Sequence, residues 1–183
     1  MSGFCMPNQT NIFLSGFMGS GKSSLGKKLA QLLRRDFVDL DHYIEKKMAL
    51  TIAVIFNQFG EEEFRLIEKQ CLEEVIEKNT KAVIALGGGT VCFFDNLHLI
   101  KSNGLLIYLQ LPPKVLAERI KKSKTVRPLL QKLKSEDLLL TIENKLNSRL
   151  DYYEQAQLCI NGLNLTPQIL QHNIIEYQQK NNS

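Results

Sequence analysis

Directly after the mostly apolar, β-prone run Ile12–Ser15 comes Gly16-Phe17-Met18-Gly19-Ser20-Gly21-Lys22-Ser23, a match to GxxxxGK[ST] that opens onto a helical pattern. A strand, a glycine-rich turn and a helix in that order constrain the fold more than any other feature of the chain. Such glycines let successive backbone N–H groups point inward around a phosphate, and the helix behind them adds its positive N-terminal end. In a loop of this kind Lys22 reaches the β- and γ-phosphates and the Ser23 hydroxyl ligates magnesium. The bland alternative is a flexible turn, but the match sits where the mechanism requires it. The segment reads as a nucleotide-binding loop.

The rest of the chain repeats the alternation. Strands are predicted at Ile12–Ser15, Phe37–Asp39, Ala82–Leu86, Leu105–Leu111 and Leu158–Ile160. Helical patterns lie near 22–34, 41–49, 60–78, 94–102, 113–122, 136–155 and 167–179, the last opening with the N-cap and N1 pair Thr166-Pro167. AVIAL (82–86) and LLIYLQL (105–111) are almost wholly apolar, as strands covered on both faces are. The fold class is therefore α/β, a five-stranded parallel sheet flanked by helices in three layers. With 183 residues, 44% hydrophobic and 23% charged, the chain has the size and composition of one globular domain, 1–183. Cys5, Cys71, Cys92 and Cys159 lie far apart without a CxxC pair, which argues against a zinc ribbon or a disulfide scaffold. Residues 1–11 have no basic n-region or apolar h-region, so no signal peptide is expected, and no apolar run is long enough to span a membrane. The cytoplasm is the expected compartment.

The net charge of +4 is too small to imply nucleic acid. Its distribution says more. Arg119, Lys121, Lys122, Lys124, Arg127, Lys132 and Lys134 fall within 119–134, which has no acidic residue, so the remainder of the chain is net acidic. The middle of that stretch, SKTVRPLL, has no helical period, and Pro128 disfavours helix just before it. This is the segment expected to close over an anion as a lid.

Several residues carry candidate chemistry. No apolar strand ends in the Asp of a motor or GTPase, and no NKxD guanine-reading tetrapeptide occurs. The acidic pair at a strand end is Asp39-Leu40-Asp41, where strand alternation would point both carboxylates one way. One could order magnesium water while the other holds or deprotonates a hydroxyl; the competing reading is a helix cap. Gly87-Gly88-Gly89 follows the third strand and permits close approach of a ligand, although a plain turn is a fair rival. Arg65 has Glu61 and Glu68 at helical spacing, and spacing alone favours a surface ion pair. Arg149 interrupts the apolar stripe Leu138, Ile142, Leu146, Tyr153, so its guanidinium needs either a structural partner or an anionic ligand.

Together GFMGSGKSS (16–24), DLDHYIE (39–45), GEEEFRLIE (60–68), GGGTV (87–91), VRPLL (126–130) and SRLDYYEQA (148–156) resemble the shikimate kinase family, in its order and over nearly the whole chain. The resemblance implies a P-loop fold of the nucleoside-monophosphate-kinase type with a substrate-binding region near 39–70 and a mobile lid near 119–134. It implies transfer of the ATP γ-phosphoryl group to the 3-hydroxyl of shikimate, with Mg²⁺ as cofactor. Gly19, Ser20, Gly21, Lys22, Ser23 and Ser24 would cradle ATP, with Ser23 on magnesium and Asp39 supporting it through water. Asp41 would bind the shikimate hydroxyls and is the base candidate. Arg65 and Arg149 would grip the carboxylate beside Gly87, Gly88 and Gly89, and Arg127 would reach the nucleotide phosphates from the lid. Lys22, Asp41, Asp39 and Arg127 form the implied catalytic set. The expected partners are ATP, ADP and shikimate bound to a monomer, without nucleic acid or membrane.

Two departures stand out. Ser24 replaces the family's usual Thr, and RLDYYEQA lacks the usual proline and reaches Ala156 one residue early, so the path beyond Arg149 differs. The rival readings are another small-molecule kinase of the same fold, acting on gluconate or a nucleoside monophosphate, and a non-catalytic ATP-sensing module. A carboxylate-binding arginine pair beside a hydroxyl-binding Asp favours a polyhydroxy acid, and simple sensing needs no second-substrate site.

Overall fold

The computed structural model describes residues 10–122 and 135–181. Strands β1 (Asn11–Ser15), β2 (Asp36–Asp39), β3 (Ala82–Ala85), β4 (Gly104–Gln110) and β5 (Leu158–Asn161) form one sheet in the order β2-β3-β1-β4-β5. Every pairing is parallel; Ile12 of β1 lies between Val83 of β3 and Leu105 of β4. Around the sheet pack helices α1 (Lys22–Leu33), α2 (Leu40–Met48), α3 (Ile52–Lys78), α4 (Asn96–Ser102), α5 (Pro113–Lys122), α6 (Ser135–Tyr153) and α7 (Pro167–Asn181). No helix among the described residues is long and apolar enough to cross a membrane.

The apolar strands do face helices on both sides. Successive residues of a strand point to opposite faces: Phe13, Ile84, Leu106 and Tyr108 join the core under α2, α3 and α6, whereas Ile12, Leu14, Val83 and Ile107 join the core under α1 and α7. Strand and helix limits agree with the sequence expectations to within about two residues, with two additions. The first is an extra stretch of helix before Gly60. There Thr51 accepts from the Val54 amide and the buried Ile55 anchors TIAVIFN in helix despite its β-branched residues. Gly60 (φ 83°) then breaks α3, so the part expected from the sequence follows at a new angle. The second is a 3₁₀ turn, Thr90–Cys92, after the triple glycine.

Arg119 to Lys122 form the last turn of α5, as the helical pattern over 113–122 implies; the rest of the expected lid, with Arg127, lies outside the described residues. One expectation changes. Asp39 and Asp41 do not share a strand face, because β2 ends at Asp39 and α2 begins at Leu40. Asp39 is the N-cap, accepting from the His42 amide, and Asp41 lies in the first helical turn.

Candidate active site

The loop between β1 and α1 has Gly16, Gly19 and Gly21 at φ 138°, 83° and 96°, which a side chain would strain. Lys22 is buried, and its ammonium donates to the carbonyls of Gly16 (2.7 Å) and Phe17 (3.2 Å). Ser23 is exposed in the first turn of α1, and Ser24 Oγ donates to the Gly21 carbonyl. The buried Ser20 hydroxyl has no protein partner among the described residues. Arg119 of α5 reaches the same loop, with Nη1 3.3 Å from the Ser20 carbonyl. Beside it opens a cavity of about 450 Å³ bounded by Gly21, Arg119 and the turn containing Gly162, Asn164 and Leu165.

The triple glycine lies against this loop: a Cβ added at Gly88 would sit 3.3 Å from the Met18 amide nitrogen. The three glycines are needed for room rather than for φ, since none of them has a positive φ. At Gly87 a Cβ would come within 2.6 Å of Glu68 Oε1 and 2.9 Å of both Asp41 Oδ1 and Thr90 Oγ1; at Gly89 it would meet Arg65 Nη2 at 2.9 Å. The groups that approach the bare backbone are thus the chain's own polar side chains. Gly87→Ala should force them apart and cost about 1–3 kcal/mol, as overpacking does. Urea denaturation measures this, and an unchanged midpoint would contradict the crowding.

Arg65 is no surface residue. It is 7% exposed, with Nη1 2.7 Å from Glu68 and Nη2 3.0 Å from Glu61. Phe93 covers its guanidinium at 4.1 Å from the ring centroid, with Phe64 at 5.0 Å. Its Nε is buried without a protein partner among the described residues. Glu68, 1% exposed, also accepts from Thr90 Oγ1 at 2.7 Å. Breaking such a buried pair costs more than the pair contributes; its effect is to hold Arg65 in one place. The half-buried Arg149 of α6 donates to the Gly88 carbonyl at 3.0 Å and lies over the Phe17 ring. Arg65, Arg149 and Asp41 thereby converge on Gly87–Gly89.

Asp41 is exposed at the start of α2, while its carboxyl end packs close to the Gly87 backbone. Lost hydration, then the charges of Glu68 and Asp39, raise its carboxyl to about 6, with Lys22 pulling it back. Among the described residues no three acidic, histidine or cysteine side chains gather into a metal cage, so a divalent cation here would depend on the Ser23 hydroxyl, its own waters and a bound phosphate.

A loop that cradles phosphate, two arginines and a carboxyl with a raised pKa on one triple glycine describe a phosphotransferase with an acidic acceptor. The sequence model of the family described as shikimate kinase matches residues 18–178. The chain belongs to the shikimate kinase family. The shikimate kinase of Bacteroides fragilis is 44% identical over 145 residues, 79% of this chain and 80% of that protein. That of Thermodesulfovibrio yellowstonii is 41% identical over 173 residues, 94% of this chain and 97% of the relative. Among solved structures, shikimate kinase from Bacteroides thetaiotaomicron superposes with a TM-score of 0.81 at 39% identity, covering 84% of this chain and 86% of that one. The Acinetobacter baumannii enzyme, solved in complex with shikimate, gives 0.79 at 35%, covering 91% and 94%. A gluconokinase from Sinorhizobium meliloti, at 16% identity and TM-score 0.53, shares the fold alone.

Glu68, expected from its helical spacing only as a surface partner of Arg65, is instead buried with it. The signal was present: Glu68 falls at helical spacing from Phe64, Cys71 and Leu72, a charge on an apolar stripe as Arg149 is. The path after Arg149 is also plain. Helix α6 runs unbroken through Asp151 to Tyr153, and a tight turn returns the Ala156 amide to the Tyr153 carbonyl. Gln157 then bonds the Leu106 amide and Gly104 carbonyl of β4 and leads into β5.

Proposed function

We propose that this chain transfers the γ-phosphoryl group of ATP to the 3-hydroxyl of shikimate, giving shikimate 3-phosphate and ADP. The observation that carries the reading is the meeting of Arg65, Arg149 and Asp41 on Gly87–Gly89 within a few ångströms of the phosphate loop. The arginines suit the carboxylate of a small acid, since a planar fork matches a carboxylate's two oxygens. Gly88 and Gly89 add N–H donors. Asp41 accepts from the acceptor hydroxyl, orients it and takes its proton as the bond to phosphorus forms. Gly19, Ser20, Gly21, Lys22, Ser23 and Ser24 hold the phosphates, and the cavity beside Arg119 has room for the base. Ser23 and, through water, Asp39 would hold a magnesium ion, which neutralises charge on the transferring group. Arg127, outside the described residues, completes the proposed set from the lid. Both substrates share the cleft of one domain, and the enzyme works as a cytoplasmic monomer.

ADP release coupled to a reporter, run with shikimate, quinate, gluconate and nucleoside monophosphates in turn, tests the assignment. Turnover with shikimate is expected, and its absence would remove the reading. The same assay carries a pH prediction. Asp41 must be ionised to take the hydroxyl proton, and its folded value lies near 6. kcat/KM, which reports the free enzyme, should therefore lose about tenfold per pH unit below roughly 6. A profile flat down to pH 4.5 would exclude Asp41 as the titrating group.

A further inference from the structure

Tyr153 ends α6 one turn beyond Arg149 and is fully buried. Tyr108 of β4 stacks on it, with ring centroids 4.8 Å apart and 17° between planes. A buried phenol needs a partner for its hydroxyl. Here the hydroxyl donates to the Gly88 carbonyl, the same oxygen that accepts from Arg149 Nη1 at 3.0 Å. Two side chains four residues apart on one helix face thus occupy both lone pairs of a single carbonyl. Burial pushes the phenol well above its ordinary range, so it remains a neutral donor at any physiological pH.

This arrangement has consequences for the face that meets an acid. In a trans peptide the C=O and the following N–H point in opposite directions. Tying the Gly88 carbonyl to α6 therefore fixes the Gly89 N–H on the other side. Neither the Gly88 nor the Gly89 amide donates to a protein acceptor among the described residues. The Arg149 guanidinium is held at the same place, by the Gly88 carbonyl and by the Tyr153 hydroxyl beside it. A phenylalanine would supply the stacking equally well; the hydroxyl adds the bond to Gly88 and a hydrogen bond with the Arg149 guanidinium.

We propose that the Tyr153 hydroxyl is a positioning group for the substrate carboxylate, holding the Gly88–Gly89 peptide and Arg149 in one arrangement without touching the substrate. The inference rests on the shikimate reading above. Tyr153→Phe tests it by initial-rate kinetics with shikimate, with shikimate carboxamide and with ATP varied. KM for shikimate should rise roughly three- to tenfold, the scale of one lost neutral hydrogen bond. KM for ATP should stay within twofold, and the preference for shikimate over its carboxamide should narrow by the same factor as KM rises. Placed on Arg149→Ala, the substitution should add little, because its effect passes through that arginine and the peptide it shares. An unchanged shikimate KM in Tyr153→Phe overturns the proposal. So does an equal rise in both KM values or a variant that does not fold, since either assigns the hydroxyl to the framework. A wild-type protein without shikimate turnover would instead defeat the functional reading from which the proposal starts.

Discussion

Asp41→Asn is expected to lower kcat by about 10²–10⁴-fold, the range over which a positioned general base contributes. The amide retains the shape but cannot take the hydroxyl proton, so the loss should fall on kcat more than on either KM. A second, opposite effect should accompany it. The folded protein raises the Asp41 carboxyl to about 6 from an ordinary value of 3.8. For an acid raised by folding, the ionised form is the disfavoured one, so stability declines as pH rises from about 4 through about 6 and then levels off. Removing the charge should therefore raise Tm at pH 7, with the gain vanishing near pH 4. A variant that is slower and more stable at neutral pH locates Asp41 as a functional strain. One that is slower and equally less stable at both pH values would make it a structural residue.

Arg149→Ala should raise KM for shikimate about 30- to 1000-fold. That is the span of losing a charge-assisted partner to a carboxylate, about 2–4 kcal/mol. KM for ATP should change by no more than about threefold, because Lys22 is held by the loop's own carbonyls and not by Arg149. Arg149→Lys keeps the charge but not the fork, and should fall between wild type and Ala. Steady-state kinetics with each substrate varied decides the matter. An unchanged shikimate KM in the Ala variant would remove Arg149 from the carboxylate site.

How much of this was legible beforehand depends on how local each feature is. Five strands and most helices could be read because hydrophobic period and caps act over a few residues. Asp39 and Asp41 were misplaced relative to each other for the same reason: extending strand alternation past Asp39 ignored that a capping Asp ends the strand itself. Arg65 was harder. Its partners Glu61 and Glu68 were visible at helical spacing, but spacing does not say whether such a pair is solvated. Burial of Arg65 and Glu68 comes from Phe93 and Thr90 on a different segment, and that converts a weak surface pair into a fixed one.

The sequence by itself determined the nucleotide-loop motif, the alternating α/β architecture and, through its spaced motifs, the family, and it nominated the residues proposed for the chemistry. It did not determine how these residues meet. Gly88 and Arg149 are 61 positions apart and touch because β3 inserts between β1 and β2, which sets the triple glycine against the phosphate loop. The order of parallel strands depends on non-local pairing, and a residue's own periodicity carries no record of it. The triple glycine shows the difference most clearly. As sequence it suggested bare backbone for a ligand; in the fold Gly87 and Gly89 are first the space into which Asp41, Glu68 and Arg65 fit.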